Sequence, residues 1–277
     1  MASKKPSIIV PLDGSASSTR ALGAAEAIAS MMGARLHAVH VTRQEMPETE
    51  LRERLGLAGA DKITLHQLRG DVVGSLLSFA TELNARMIVM SGHGESDNQR
   101  HLAGSTALAI MGRADIPILV IRSGMQRIPT PEWHPQRLLA PLDGTPDATK
   151  ALDEVIHIAR DLGVAVDILY IAVLGKEPSK AAGAITSPRY LDYPQYDWPA
   201  WSDEFMRRCY EPHKDEVTMR LFHREGEPVA AVNDFARENA DDLVALSWHG
   251  SMQKRIATTV KGVLRHTQLP VLLVRVP

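Results

Sequence analysis

A chain of 277 residues has room for two domains of ordinary size, each with its own buried core. Its 44% hydrophobic and 23% charged content is that of a soluble globular protein, and a net charge of −2 removes the electrostatic case for nucleic acid or an anionic membrane as the main partner. The single cysteine, Cys209, excludes an intrachain disulfide; with no signal-like apolar segment after Met-Ala-Ser-Lys-Lys-Pro and no run of membrane-spanning length, a cytoplasmic location is expected.

In chain order, the first half reads as strand 7–12, helix 17–32, strand 35–41, a short helix within 48–57 and strand 62–68. Helix 72–84, strand 86–91, loop 92–104, helix 104–113 and strand 117–122 follow. Ser17 and Ser18 are the N-cap candidates of the first helix. Leu22, Ala25, Ile28, Ala29 and Met32 recur at helical spacing, and Gly33 stops it. Segment 123–136, with Pro129, Pro131 and Pro135, reads as a linker. The second half opens its first helix with Thr145 as N-cap and Pro146 at the first helical position. Leu152, Val155, Ile156, Ala159 and Leu162 form its stripe, and Gly163 ends it. Strands alternating with helices predict parallel strands joined by right-handed crossovers, in two domains, 1–123 and 137–277.

The halves share punctuation. Pro-Leu-Asp-Gly occurs at 11–14 and again at 141–144, each time after an apolar run. Ser91-Gly92-His93-Gly94 is echoed by Ser247-Trp248-His249-Gly250, and each half closes on a Pro-headed strand, at Pro117 and Pro270. This is an internal duplication. His93 follows Asp13 by 80 residues, whereas His249 follows Asp143 by 106, and the excess falls at about 174–216. There Tyr190, Tyr193, Tyr196, Trp198, Trp201, Phe205 and Tyr210 concentrate seven of the chain's thirteen aromatics. They read as a buried cap over the second sheet, or else as a lid or protein-binding surface. Cys209, in a helix expected over 203–210, reads as an inert thiol.

Two features of the first half could carry chemistry. Gly94, the nine residues after it, and Gly104-Ser105-Thr106 at a helix start supply glycines that allow close backbone approach, unpaired N–H groups and two hydroxyls, which suit a phosphate. An ordinary Gly loop with a Ser cap is the plainer alternative, and no Gly-Lys-Ser/Thr occurs. Asp13 ends the first strand. In an open parallel sheet ligands lie beyond the carboxyl ends of strands where strand order reverses, so Asp13 and the 91–105 loop can face one crevice; a turn aspartate is the plainer reading. No Ser-His-Asp or metal-ligand spacing stands out, so neither catalytic nor metal-ligating residues are assigned.

With its strand-ending Asp13, the His40-Val41 strand end, and G-x-x-G followed by nine residues and Gly-Ser, each half resembles the universal stress protein family, and the chain a tandem member. The resemblance implies two flavodoxin-like α/β domains of the adenine nucleotide alpha hydrolase type, each a five-stranded parallel sheet of order 3-2-1-4-5 flanked by helices. It implies ATP, or AMP or ADP in its place, as ligand, with Mg accompanying the nucleotide. Asp13 and Val41 would frame the adenosine, Gly94, Gly104, Ser105 and Thr106 would cradle the phosphates, and Pro11, Ser91 and His93 would complete the nucleotide-binding set. Ser91 departs from the motif, whose first residue is glycine, and Glu95 and Asp97 bring negative charge that Arg100 and His101 offset. The second half keeps Asp143 and Ile171 but has only six residues, Ser251–Ile256, before Ala257-Thr258, so it lacks the full cradle, though Lys254 and Arg255 could attract an anion. The implied role is a nucleotide-binding sensor or regulator of stress. The alternatives are a slow ATP hydrolase, with His93 or Glu95 positioning water, and an interaction module with degenerate pockets. The apolar fifth strands, Ile118–Ile121 and Val271–Val274, need cover, by each other within the chain or in a homodimer.

Overall fold

The computed structural model describes residues 5–92, 103–122, 124–172, 181, 184, 197–250 and 257–276, with the backbone alone at 197–200. The first half runs β1 (Ser7–Pro11), α1 (Ala16–Met31), β2 (Arg35–Thr42), α2 (Glu48–Arg54), β3 (Thr64–Arg69), α3 (Val72–Leu83), β4 (Met87–Ser91), α4 (Ser105–Arg113) and β5 (Ile118–Ile121). The second runs β6 (Arg137–Leu142), α5 (Pro146–Leu162), β7 (Ala165–Ala172), α6 (Asp197–Phe205), β8 (Met219–Glu225), α7 (Pro228–Asn239), β9 (Leu243–Trp248), α8 (Ala257–His266) and β10 (Val271–Arg275).

Ile8, Ile9 and Val10 are fully buried, as a central parallel strand requires when both of its faces are covered. The chain then turns at Gly14, whose φ of 86° lies in the region that favours glycine. That turn starts α1 earlier than its spacing suggests. The N-cap is Ser15, whose Oγ accepts from the Ser18 amide at 3.1 Å, and not Ser17 or Ser18. Ser18, already helical, returns its hydroxyl to the Ser15 carbonyl at 3.0 Å. Thr145, Pro146 and Gly163 start and stop α5 as expected.

All ten strands form one sheet, in the order β3-β2-β1-β4-β5-β10-β9-β6-β7-β8. Pairing is parallel within each half and antiparallel where β5 meets β10, with Leu119 opposite Leu272. Two apolar cores lie on its faces. One packs β1, β6 and β10 against α1, α2, α5 and α6; the other packs β4, β5 and β9 against α3, α4, α7 and α8. Each runs through both halves. The proline-rich connection is held against α1: a Cβ on Gly23 would come within 2.8 Å of the Pro129 carbonyl oxygen. Arg86, just before β4, bridges to the other half by ion pairs with Glu154 and Asp161 of α5.

The aromatic segment lies where the first half has α2. Leu51, Leu55 and Leu57 are buried there; in the second half Trp201, Phe205 and Cys209 are buried in their place. The Trp201 ring packs 4.6 Å from Tyr170 of β7 and 5.1 Å from Phe205. The helix is not continuous over 203–210. It starts at Asp197 and widens into a π-helical turn at Met206–Tyr210, which carries Cys209 inward. Burial pushes the Cys209 thiol up to about 11, which keeps it protonated and unreactive near neutral pH. Tyr190, Tyr193 and Tyr196, and the Trp198 side chain, lie outside the described residues.

The second half also buries charge at the amino ends of its strands. Asp167 of β7 is fully buried and accepts from Arg220 Nε at 2.7 Å and from Arg220 Nη2. Asp241 is buried too, and no N–H or hydroxyl among the described residues donates to its carboxyl oxygens. Burial first, then the charge and hydrogen bond of Asp167, push the Asp241 carboxyl up to about 7 against the pull of Arg220 and Arg137. Asp241 therefore holds a proton that Asp167 can accept.

Two outcomes are expected. Trp201→Ala should lower stability by about 3–5 kcal/mol in a denaturant melt, the usual cost of removing a large buried aromatic; a wild-type midpoint would refute the cap. Asp241 keeps its proton to about pH 7 when folded and to its ordinary 3.8 when unfolded, so stability should fall as pH rises between those values and level off above. Asp241→Asn, which cannot ionise, should flatten that fall, as read from urea midpoints at pH 5 and pH 8.

Candidate functional site

The first half opens a crevice of about 440 Å³ at the carboxyl ends of its strands. It lies where β1 is flanked by β2 on one side and β4 on the other, the reversal point at which open parallel sheets take ligands. Its size is that of a small-molecule site. Pro11, Leu12 and Asp13 come from the end of β1, Val39, His40 and Val41 from β2, and Met90 and Ser91 from β4. Gly104, Ser105, Thr106, Ala107 and Ile110 of α4, and Val72 and Leu76 of α3, complete it.

The walls divide by chemistry. Val39, Val41, Leu76, Met90 and Ile110 make an apolar slot, and Val72, at 44% exposure, is an apolar shelf at its mouth. Opposite stands the start of α4. Gly104 caps that helix with no side chain, so the N-cap residue itself offers no oxygen to the first N–H groups. These carry the positive end of the helix dipole. Ser105 and Thr106 are exposed there. The backbone N–H of Gly104 donates to the Gly92 carbonyl at 2.8 Å, which closes the neck of the loop between them.

Asp13 works in the turn as well as facing the crevice: its Oδ1 accepts from the Ser15 amide at 2.9 Å. Asp143 makes the same turn in the second half, accepting from the Thr145 amide at 3.0 Å and the Thr145 hydroxyl at 2.7 Å. The turn and ligand readings of this aspartate are compatible, because Asp13 holds the turn and lines the crevice from one position.

Of the residues singled out from sequence, Pro11, Asp13, Val41, Ser91, Gly104, Ser105 and Thr106 meet around one crevice. His93 and Gly94 lie outside the described residues, as do Glu95, Asp97, Arg100 and His101. Sequence reasoning missed the α3 wall of Val72 and Leu76, and His40 as a lining side chain. The alternation of Val39 and Val41 around His40 was a signal for both faces of β2.

The second half carries larger or more buried side chains at the matching positions. Tyr170 stands where the first half has His40, packed under Trp201, and Ile171 is buried where Val41 is half-exposed. Trp248 replaces Gly92. Its buried indole Nε1 donates to the Met111 carbonyl of α4 at 2.7 Å, and Arg275 donates to the Gly112 carbonyl at 2.8 Å. The second half thus clamps the carboxyl end of the helix whose amino end faces the first-half crevice. Lys254, Arg255 and the rest of Ser251–Ile256 lie outside the described residues.

The family model described as the Universal stress protein family matches twice, over residues 6–122 and 135–275. The chain belongs to the universal stress protein family, as a tandem of two copies. No curated protein matches it. Among solved structures it is similar to a universal stress protein from Archaeoglobus fulgidus DSM 4304, with a TM-score of 0.63 at 15% identity over 98% of this chain and 96% of that one. A putative universal stress protein from Pseudomonas aeruginosa UCBPP-PA14 gives 0.66 at 13% identity, over 98% and 94%. At such identities the likeness is one of fold. Among the described residues no helix is long and apolar enough to cross a membrane, and no group of three or more His, Cys, Asp or Glu is set to hold a metal ion.

Proposed function

We propose that the first half of this universal stress protein, residues 1–123, binds an adenine nucleotide, ATP or in its place AMP or ADP, and that the chain acts as a cytoplasmic sensor or regulator in the stress response. The observation that carries the reading is the pairing of an apolar slot with an uncapped helix start across one crevice. A purine is a flat apolar body with polar edges, and Val39, Val41, Val72 and Met90 offer it a matching slot. Phosphates want N–H donors and a helix amino end, which Gly104, Ser105 and Thr106 supply at the crevice mouth. The donors are neutral, so a Mg ion arriving with the nucleotide would share the phosphate charge.

The second half serves as a scaffold and not as an equal site. Tyr170, Ile171 and Trp248 are buried side chains at the positions of His40, Val41 and Gly92, and the nine-residue cradle is shortened there. What remains is a molecule with one working crevice and a partner domain that braces it.

Calorimetric titration with ATP should give one tight site per chain; two equivalent sites would refute the division of labour. Gly104→Val sets a branched side chain where phosphate must approach the backbone. It should weaken binding at least about tenfold, or ~1.4 kcal/mol, with the fold kept. Asp13→Ala should also weaken binding, and Asp143→Ala should leave it unchanged. Equal losses from the two aspartates would place the site in both halves.

A further inference from the structure

His40 stands at the end of β2 and lines the first-half crevice. Its ring Nδ1 lies 2.7 Å from the Leu12 carbonyl oxygen in a buried contact. A carbonyl oxygen can only accept, so Nδ1 must be the nitrogen that carries the proton. In the neutral ring this leaves Nε2 as the acceptor, on a residue that lines the crevice. Leu12 sits at the end of β1, next to Asp13, so the contact locks the ring to the two strands that floor the crevice. The second half has no imidazole at this place: the corresponding residue is Tyr170, its ring packed 4.6 Å from that of Trp201. Only the half with an open crevice keeps an imidazole there.

We propose that His40 Nε2 accepts a hydrogen bond from the bound ligand and so selects for a nucleotide that presents a donor at that point, an exocyclic amine or a sugar hydroxyl. The proposal rests on the reading of the crevice as a nucleotide site. A ligand carrying a carbonyl there would set lone pair against lone pair, and one lacking the group would leave Nε2 desolvated and unmatched. Either mismatch should weaken binding about tenfold. His40 is in this sense a specificity residue: apolar walls admit any flat ring, whereas one oriented acceptor distinguishes between them.

The test is calorimetric titration of the wild-type chain, His40→Phe and His40→Gln with ATP, inosine triphosphate, 2′-deoxy-ATP and 3′-deoxy-ATP. Inosine triphosphate replaces the amine by a carbonyl; the deoxy compounds each remove one hydroxyl. On the wild type, one analogue should bind about tenfold more weakly than ATP, and its identity names the donor. His40→Phe should close that gap to within about twofold, and His40→Gln, whose amide oxygen can accept, should keep part of it. A gap that persists in His40→Phe, or a variant that weakens ATP and every analogue by one factor, would mean the ring merely holds Leu12, and overturns the proposal alone. A flat analogue profile on the wild type overturns it whether or not His40→Phe folds. Failure of the wild type to bind ATP at all would fell the nucleotide reading together with this one.

Discussion

Everything in this molecule hangs on the antiparallel pairing of β5 with β10. Ile118, Leu119 and Val120 pair with Leu273, Leu272 and Val271, and none of these, nor Ile121 and Val274 beside them, is more than 2% exposed. Alone, either half would end in an apolar edge with unpaired backbone groups, a surface that invites association. Each such side chain left in water forgoes about 1.5–3 kcal/mol, so the joint outweighs any single ion pair between the halves. It also makes the two cores continuous, since each sheet face now passes from one half into the other. Arg86 with Glu154 and Asp161, and the Trp248 and Arg275 contacts to α4, are placed by that pairing and fasten it at the rims.

On this shared frame the halves have moved apart at a few positions. The same strand ends carry His40 in one and Tyr170 in the other, Gly92 in one and Trp248 in the other. Each exchange trades space for packing. A larger side chain at a strand end is stable only if something covers it, and the longer β7-to-β8 connection provides Trp201 and Phe205 for that purpose. The enlarged connection and the larger Tyr170 are thus one change seen at two places. The buried Asp167, Asp241 and Arg220 cluster belongs to the same half, whose first-half counterpart at 37 is a histidine hydrogen-bonded to His66 at 3.0 Å.

Much of the fold was legible in the residues. The repeated Pro-Leu-Asp-Gly, Thr145-Pro146 and the glycines at 33 and 163 mark element ends through local chemistry, which sequence displays directly. The Ser15 cap escaped because three serines compete there, and only the backbone path through Gly14 decides between them. The π-helical turn at Met206–Tyr210 escaped because it answers to the packing of Trp201 and Phe205, a tertiary demand with no local signature. At the site, Asp13 stood out by its place at a strand end, Gly104-Ser105-Thr106 by spacing, and Val41 by family resemblance. Val72 and Leu76 did not, since an apolar residue lining a crevice and one filling a core look alike until the chain is folded. The Met111 carbonyl that meets Trp248 is a backbone atom 137 positions away, and no side-chain pattern encodes it.

Because β5 and β10 run in opposite directions, the carboxyl ends of the two sets of strands point to opposite poles of the sheet. The duplication has therefore produced not a pair of neighbouring mouths but a two-ended body, with the first-half crevice at one pole and the Trp248 strand end at the other. A macromolecule that met the carboxyl ends of one set of strands would have no need to touch those of the other.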